Sequence, residues 1–360
     1  MRIHFPLHPY NQQRQFEKPA WVYPAHLAMY ATYLRNQGHD VVWGKWNQPY
    51  WPMSLILPDI SHPEWTPDKI IKDDFDIDVP FDQLPYPDRI LTDAKHPRWQ
   101  AYGNYKFHPA THMMASNLCW YGKCTFCIDT YKLAHGEVRG VRSVEHVMAE
   151  IDDLIDHGYR EVFDDSGTFP VGAWLTAFCQ QMQTRKQRIT IGCNMKPVTL
   201  NYRMMKNAGF RFILVGIESA NQETVNRIHK GQRSEDIIPI IKSMGDAGLE
   251  VHLTTMFGYE WETHEDAMRT VKLVHYLLKQ GYAKTAQASV FSPPRTPPDP
   301  ASPGHRYIPM VYEAYKSPVF WWRKLSDIRR WEAINYLGRG ARLVVEEKLR
   351  KAQFTRRRTR

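Results

Sequence analysis

The sequence predicts an α/β protein: six βα units in a partial, laterally open (β/α)6 barrel, a short βαβ region before it and a helical extension after it. Three observations lead there. From His112 onward, short apolar runs alternate with amphipathic stretches across short joints, the pattern of βα units on a mostly parallel sheet. The N-terminal residues show that alternation once more, in a single βαβ. Beyond Ser292 the chain turns proline-rich and then aromatic.

Taken in order, Arg2–Pro6 reads as a strand, residues 25–37 carry leucine, methionine, alanine and tyrosine at helical spacing up to Gly38, and Asp40–Gly44 is strand-like. Barrel strands are expected at 113–117, 161–163, 189–193, 212–216, 251–256 and 283–291. Helices are expected at 144–155, 174–182, 200–207, 234–246 and 264–280, with Gly209 and Gly248 closing two of them. The organisation that follows is an N-terminal region and linker over 1–105, the barrel over 106–292, an aromatic-rich helical extension over 293–345 and a basic tail over 346–360.

With 360 residues, 43% hydrophobic and 24% charged, the chain can build one large domain, alone or with a small one, and is not compositionally disordered. No apolar run approaches the ~20 residues that span a bilayer, and M-R-I-H-F-P lacks the long apolar stretch of a signal peptide. The odd number of cysteines points to a reducing, cytoplasmic setting. The net charge of +9 is partly local, since Arg356, Arg357, Arg358 and Arg360 crowd the end while residues 59–88 are acidic. We read the tail as a solvated end, with phosphate binding as the lesser reading.

The densest chemistry lies in residues 117–129, N-L-C-W-Y-G-K-C-T-F-C-I-D. Cys119, Cys124 and Cys127 converge thiolates on one metal or cluster. Structural zinc takes four ligands, commonly as two separated pairs. Here there is one trio, while Cys179 and Cys193 stand alone in periodic segments as small core residues. Three thiolates suit a [4Fe-4S] cluster with one iron left open. The competing reading is a zinc knuckle completed by His112 or His135.

This trio, with Phe126 just before the last cysteine, resembles the cluster loop of the radical S-adenosylmethionine (SAM) superfamily. Four residues, 120–123, separate the first two cysteines where the usual loop has three. A Trp/Tyr-Trp/Tyr-Gly-Lys/Arg insert is similar to a variant in the cobalamin-associated branch. The phrases V-G-I-E-S at 215–219, N-Q-E-T-V at 221–225, H-K-G at 229–231 and Gly258-x-x-x-Glu262-Thr263 extend the resemblance over roughly residues 80–300. Residues 81–88 resemble that branch's linker. The opening βαβ resembles the start of its Rossmann-like cobalamin-binding domain, but about 55 residues from Gly44 to Trp99 are too few for the rest. Asp59-Ile60-Ser61-His62 also departs from the D-x-H-x-x-G stretch that ligates cobalt. A truncated, degenerate remnant is expected, with cobalamin admitted but not favoured.

The resemblance implies a [4Fe-4S] cluster, SAM, and reductive cleavage to a 5′-deoxyadenosyl radical that takes hydrogen from an unknown organic substrate. It further implies a one-electron donor such as flavodoxin or ferredoxin. The alternatives are a cobalamin-dependent methyltransferase and a non-catalytic iron–sulfur or zinc protein that docks nucleic acid. By resemblance, Cys119, Cys124 and Cys127 ligate the cluster and Phe126 meets the adenine. Asp165 and Ser166, in the 164–167 turn, receive the SAM amino group, unless the two carboxylates there cap the next helix. Lys196 faces the SAM carboxylate where relatives carry arginine, or is a solvated loop lysine. Glu218 and Ser219 contact ribose and methionyl groups, and Gly258 with Glu262 shapes the adenine side. Trp120 and Tyr121 pack the enlarged loop.

Tyr259 and Trp261 depart from the usual Pro-Gly, and with His252 and Met256 they meet substrate or fill the barrel. Arg295 replaces the glycine of a P-G-T-P-like loop. Tyr312, Tyr315, Phe320, Trp321, Trp322, Trp331 and Tyr336 serve chiefly as packing, among Arg323, Lys324, Arg329 and Arg330.

Overall fold

The computed structural model describes residues 1–6, 23–44, 67–71, 77–95, 97–100 and 104–326. At the N-terminus β1 (Arg2–Pro6), α1 (Ala25–Asn36) and β2 (Asp40–Gly44) form the expected βαβ, and β3 (Lys69–Ile70) pairs with the other side of β1, all parallel. Helix α1 is rich in the helix formers alanine, leucine and methionine and is buried around most of its circumference, Ala28 to Thr32 included. Phe5 of β1 meets Tyr30 and Trp43 ring against ring. Helix α1 also grips the linker: Asp88 N–H donates to Thr32 Oγ1 at 2.8 Å, and Arg35 pairs with Asp88. Asp59 to His62 lie outside the described residues, as do Arg329, Arg330, Trp331, Tyr336, the terminal arginines and the side chains of Arg323 and Lys324.

After α2 (Pro97–Gln100) comes the main sheet: β4 (Ala110–Met113), β5 (Glu161–Asp164), β6 (Thr190–Met195), β7 (Phe210–Glu218), β8 (Glu250–Phe257) and β9 (Thr285–Val290). All six are parallel and adjacent in chain order, so β4 and β9 are the edge strands of an open barrel. The helices between them are α3 (Ile128–Ala134), α4 (Val144–Asp156), α5 (Ala173–Thr184), α6 (Tyr202–Asn207), α7 (Gln222–Arg227), α8 (Ile237–Asp246) and α9 (His264–Gln280). Cys179 and Cys193 are wholly buried in the core.

Two strands differ from expectation most informatively, each for a visible reason. The first ends at Met113 instead of running over 113–117, because side chains take over the next backbone donors: Asp164 Oδ2 accepts Ala115 N–H at 2.7 Å and Ser166 Oγ accepts Ser116 N–H at 2.9 Å. Strand β7 runs on to Glu218, past the expected end at 216, through a register shift between Gly216 and Glu218.

The C-terminal extension begins with α10 (Tyr307–Tyr312) and α11 (Pro318–Ser326). Tyr315 Oη accepts Ala286 N–H at 2.5 Å and donates to Ala286 O at 2.8 Å, and Tyr312 Oη accepts Ala288 N–H at 3.4 Å, so these tyrosines cover the backbone of the β9 edge. Packing does not extend to every aromatic: Trp321 and Trp322 are 47% and 76% exposed. His252 fills the barrel, with Nδ1 2.7 Å from Thr285 Oγ1 and its ring against Phe212.

The strand feeding the cysteine loop is anchored by a buried ion triad. Glu150 lies between Arg89 of the linker and Arg142, all three side chains 2% exposed or less. The guanidiniums also donate to His112 O at 3.2 Å and Met114 O at 3.1 Å. Burial alone would raise the Glu150 carboxyl, but Arg142 and Arg89 outweigh it and hold it below its ordinary value. Glu150→Ala leaves two buried cations unpaired and should cost about 3–5 kcal/mol, read as a fall in the urea midpoint. An unchanged midpoint would show that the triad does not anchor β4.

Candidate active site at the cysteine loop

Beyond Met113 the chain is held by side chains instead of a ladder. Ser116 Oγ donates to Leu118 O, and Cys119 N–H donates to Asp129 Oδ2 at 2.8 Å. Gly167 lies against that carboxylate: a Cβ there would stand 1.8 Å from Asp129 Oδ2 and 3.2 Å from Cys119 Cβ. Cys119 Sγ donates to Thr168 Oγ1 at 3.2 Å. Gly122 turns the insert at φ 55°, where a side chain would also strike Leu133. Cys127 N–H then donates to Cys124 O at 3.1 Å, and Cys127 opens α3.

All three thiols are free of disulfides, and burial pushes the Cys127 thiol up to about 12 and the Cys124 thiol up as well. Such a soft donor set fits an iron–sulfur cluster. The histidines that would complete a zinc knuckle are engaged elsewhere. His112 Nδ1 is 2.6 Å from Tyr105 Oη, His135 Nδ1 bonds Tyr131 O, and among the described residues no three His, Cys, Asp or Glu side chains could hold one metal ion. Thiols bound to separate irons of a cluster need not meet at one point.

Facing the loop is the end of β7. Glu218 stands at φ 56°, a left-handed conformation uncommon outside glycine, and its Oε1 accepts from Lys230 Nζ at 2.9 Å. Both side chains are about nine-tenths buried, at 8% and 10% exposure. Gly216 makes the room, since a Cβ there would lie 2.3 Å from Glu218 Oε1 and 2.8 Å from Lys230 Nζ. Lys230 Nζ also lies 5.6 Å from the centroid of the half-buried Phe126 ring. Lys196 is no solvated lysine: it is 6% exposed, donates to Gly231 O at 2.6 Å and lies 3.8 Å from the Tyr121 ring centroid.

Other expected residues are differently placed. Asp164 and Ser166 hold the β4 exit, and neither carboxylate of the turn caps α5, whose N-cap is Gly172 with no side-chain bond. Burial pushes the Asp164 carboxyl up to about 7 against the bonds from Ser166 and Ala115. Asp165 is exposed, 3.5 Å from Asn194 Nδ2. Ser219 is fully buried, and its hydroxyl accepts Asn221 N–H.

Gly258 permits close packing, since a Cβ would meet Ser302 Oγ at 2.4 Å. Glu262 Oε2 accepts Gly258 N–H while its buried Oε1 has no partner, and burial pushes this carboxyl up to about 7. Tyr259, 2% exposed with an unpartnered hydroxyl, packs against Trp261 and Phe291. Lys230 and Asp129 carry more of this geometry than the sequence reading gave them. A glutamate in an apolar strand needs a cation, and Lys230 stands in the same resembling phrase.

Residues 113–274 match the family model of the radical SAM superfamily. That family's cofactors are a [4Fe-4S] cluster and SAM. Similar solved structures include the cobalamin-dependent S-adenosylmethionine radical enzyme OxsB with aqua-cobalamin bound, at 17% identity and TM-score 0.45, covering 67% of this chain and 33% of that one. The radical S-adenosylmethionine methyltransferase TsrM from Kitasatospora setae is 18% identical with TM-score 0.44, covering 50% and 34%. Coproporphyrinogen III oxidase (HemN) from Escherichia coli is 14% identical with TM-score 0.40, covering 59% and 52%. The chain thus spans about a third of the length of OxsB and TsrM. A search of curated proteins gives no match.

Gly167→Ala should push the Asp129 carboxylate off Cys119 N–H, costing about 1–3 kcal/mol and lowering iron and sulfide bound per chain after anaerobic reconstitution. Wild-type iron content in a folded variant would show that this contact does not shape the loop.

Proposed function

We propose that the protein reductively cleaves SAM at a [4Fe-4S] cluster ligated by Cys119, Cys124 and Cys127, and that the resulting 5′-deoxyadenosyl radical takes hydrogen from an organic substrate. One observation carries the reading. Three free thiols and Phe126 share a single loop at the C-terminal end of the parallel sheet, and Lys230 of the buried Glu218–Lys230 pair lies beside the Phe126 ring. Bound there, the cluster would be held by the three thiolates and would supply one low-potential electron to SAM.

The chain's own residues bind, orient and exclude water. Phe126 offers its ring to the adenine. Glu218, fixed by Lys230, offers its remaining acceptor capacity to the ribose hydroxyls. Exposed Asp165, beside Asn194, offers its carboxylate to the amino group. Ser219 and Gly258 act through the backbone they hold, and Tyr259, Trp261 and Phe291 form an apolar wall that limits water.

A flavodoxin- or ferredoxin-type donor and a reducing cytoplasm belong to the same proposal. Among the described residues no helix is long and apolar enough to cross a membrane. Cobalamin stays outside the proposal, and the substrate is named only as organic.

Alanine at Cys119, Cys124 or Cys127 should abolish the brown cluster absorption and SAM cleavage, while Cys179→Ala and Cys193→Ala should keep both. Glu218→Gln should retain the cluster and weaken SAM binding about tenfold, the loss of a charge-assisted hydrogen bond. An intact cluster after loss of Cys124 would refute the ligand set, and unchanged SAM affinity in Glu218→Gln would misplace the ribose.

A further inference from the structure

The insert between Cys119 and Cys124 must be held by something, because a longer loop has more conformations open to it. It docks on the turn at 228–231. Thr125 N–H donates to Ile228 O at 3.1 Å, and Tyr121 Oη donates to His229 O at 3.0 Å. The turn has an uncommon backbone, with His229 at φ 52° and Gly231 at φ 57°. Glycine is required at its end: a Cβ on residue 231 would lie 1.9 Å from Tyr121 Oη.

Lys196, just past β6, completes the contact. Its ammonium donates to Gly231 O at 2.6 Å and lies 3.8 Å from the Tyr121 ring centroid. One cation therefore bridges the turn and the insert, two segments far apart in the chain. No carboxylate among the described residues pairs with Lys196, so the carbonyl and the ring face offset its desolvation.

We propose that Lys196 is a positioning residue that clamps the enlarged cysteine loop shut through Tyr121 and Gly231, in place of the carboxylate-binding role the resemblance gives it. The identity of the loop's cargo rests on the function proposed above; the clamp does not. In this arrangement the insert is not passive packing. Tyr121 is the handle by which Lys196 sets where the three thiols stand relative to Glu218, Lys230 and Phe126.

The test uses amide hydrogen exchange in the full-length, metal-free protein under anaerobic conditions, so it does not depend on what the cysteines bind. The probe is the Thr125 amide, with amides of α9 reporting global folding. Lys196→Met and Tyr121→Ala should each speed Thr125 exchange about tenfold, the size of a cation–π contact and a hydrogen bond lost together. The double variant should be faster than either single one but fall well short of the product of their effects, since the cation–π contact is shared while each residue also makes its own hydrogen bond. Tyr121→Phe, which keeps the ring, should lie between, and Lys196→Arg should restore most of the protection.

SAM affinity of the reconstituted protein supplies the second readout, with Lys196→Met and Tyr121→Ala expected to weaken it equally. Additive effects on Thr125 exchange would overturn the clamp. So would unchanged exchange in Lys196→Met beside a SAM-binding loss that Tyr121→Ala does not share, which would return Lys196 to the SAM carboxylate. If the protein binds no cluster at all, the function proposed above fails while the exchange result still decides the clamp.

Discussion

The mouth of the sheet is organised by one buried ion pair. Glu218 and Lys230 meet at 2.9 Å, and burying two charges is tolerable only because each answers the other. The pair imposes conditions on everything near it. Glu218 must leave the strand at a positive φ, Gly216 must lack a side chain, and His229 must turn in the left-handed region to bring Lys230 back. Backbone strain of this kind persists only where the surroundings over-determine it. Here it stands opposite the three cysteines, where the chemistry is proposed to occur.

The cysteine loop is the other half of the mouth, and it is fixed by carboxylates and hydroxyls. Asp164 and Ser166 end β4 early by capturing Ala115 and Ser116, and Asp129 captures Cys119. Side-chain acceptors let the backbone turn away from the ladder without orphaning its donors. Behind them, the Arg89–Glu150–Arg142 triad ties His112 and Met114 to the linker that α1 grips. The N-terminal βαβ thus reaches the strand that feeds the cysteine loop through a continuous set of polar contacts.

Much of this was legible in the sequence because it rests on periodicity. The six strands, helix α9 at His264–Gln280 and the opening βαβ follow from apolar spacing and glycine stops. The cysteine trio is legible because its three members stand close together in the chain, at 119, 124 and 127. What could not be read was contact across the chain: Lys196 with Tyr121, Asp129 against Gly167, or tyrosines covering the β9 edge. Apolar residues at 114–115 extended the strand pattern past Met113, and only the captures by Asp164 and Ser166 end it there. The 164–167 turn was similarly ambiguous, since a carboxylate after a strand fits a helix cap as well as a strand exit.

The most direct measurement on the central claim is electron paramagnetic resonance of the anaerobically reconstituted, dithionite-reduced protein, recorded with and without SAM. The expected result is a [4Fe-4S]⁺ signal whose g values shift when SAM is added, because a cluster on three thiolates leaves one iron for the amino acid end of SAM. A reduced cluster whose signal is indifferent to SAM, or a protein that assembles no cluster with all three cysteines intact, would contradict it.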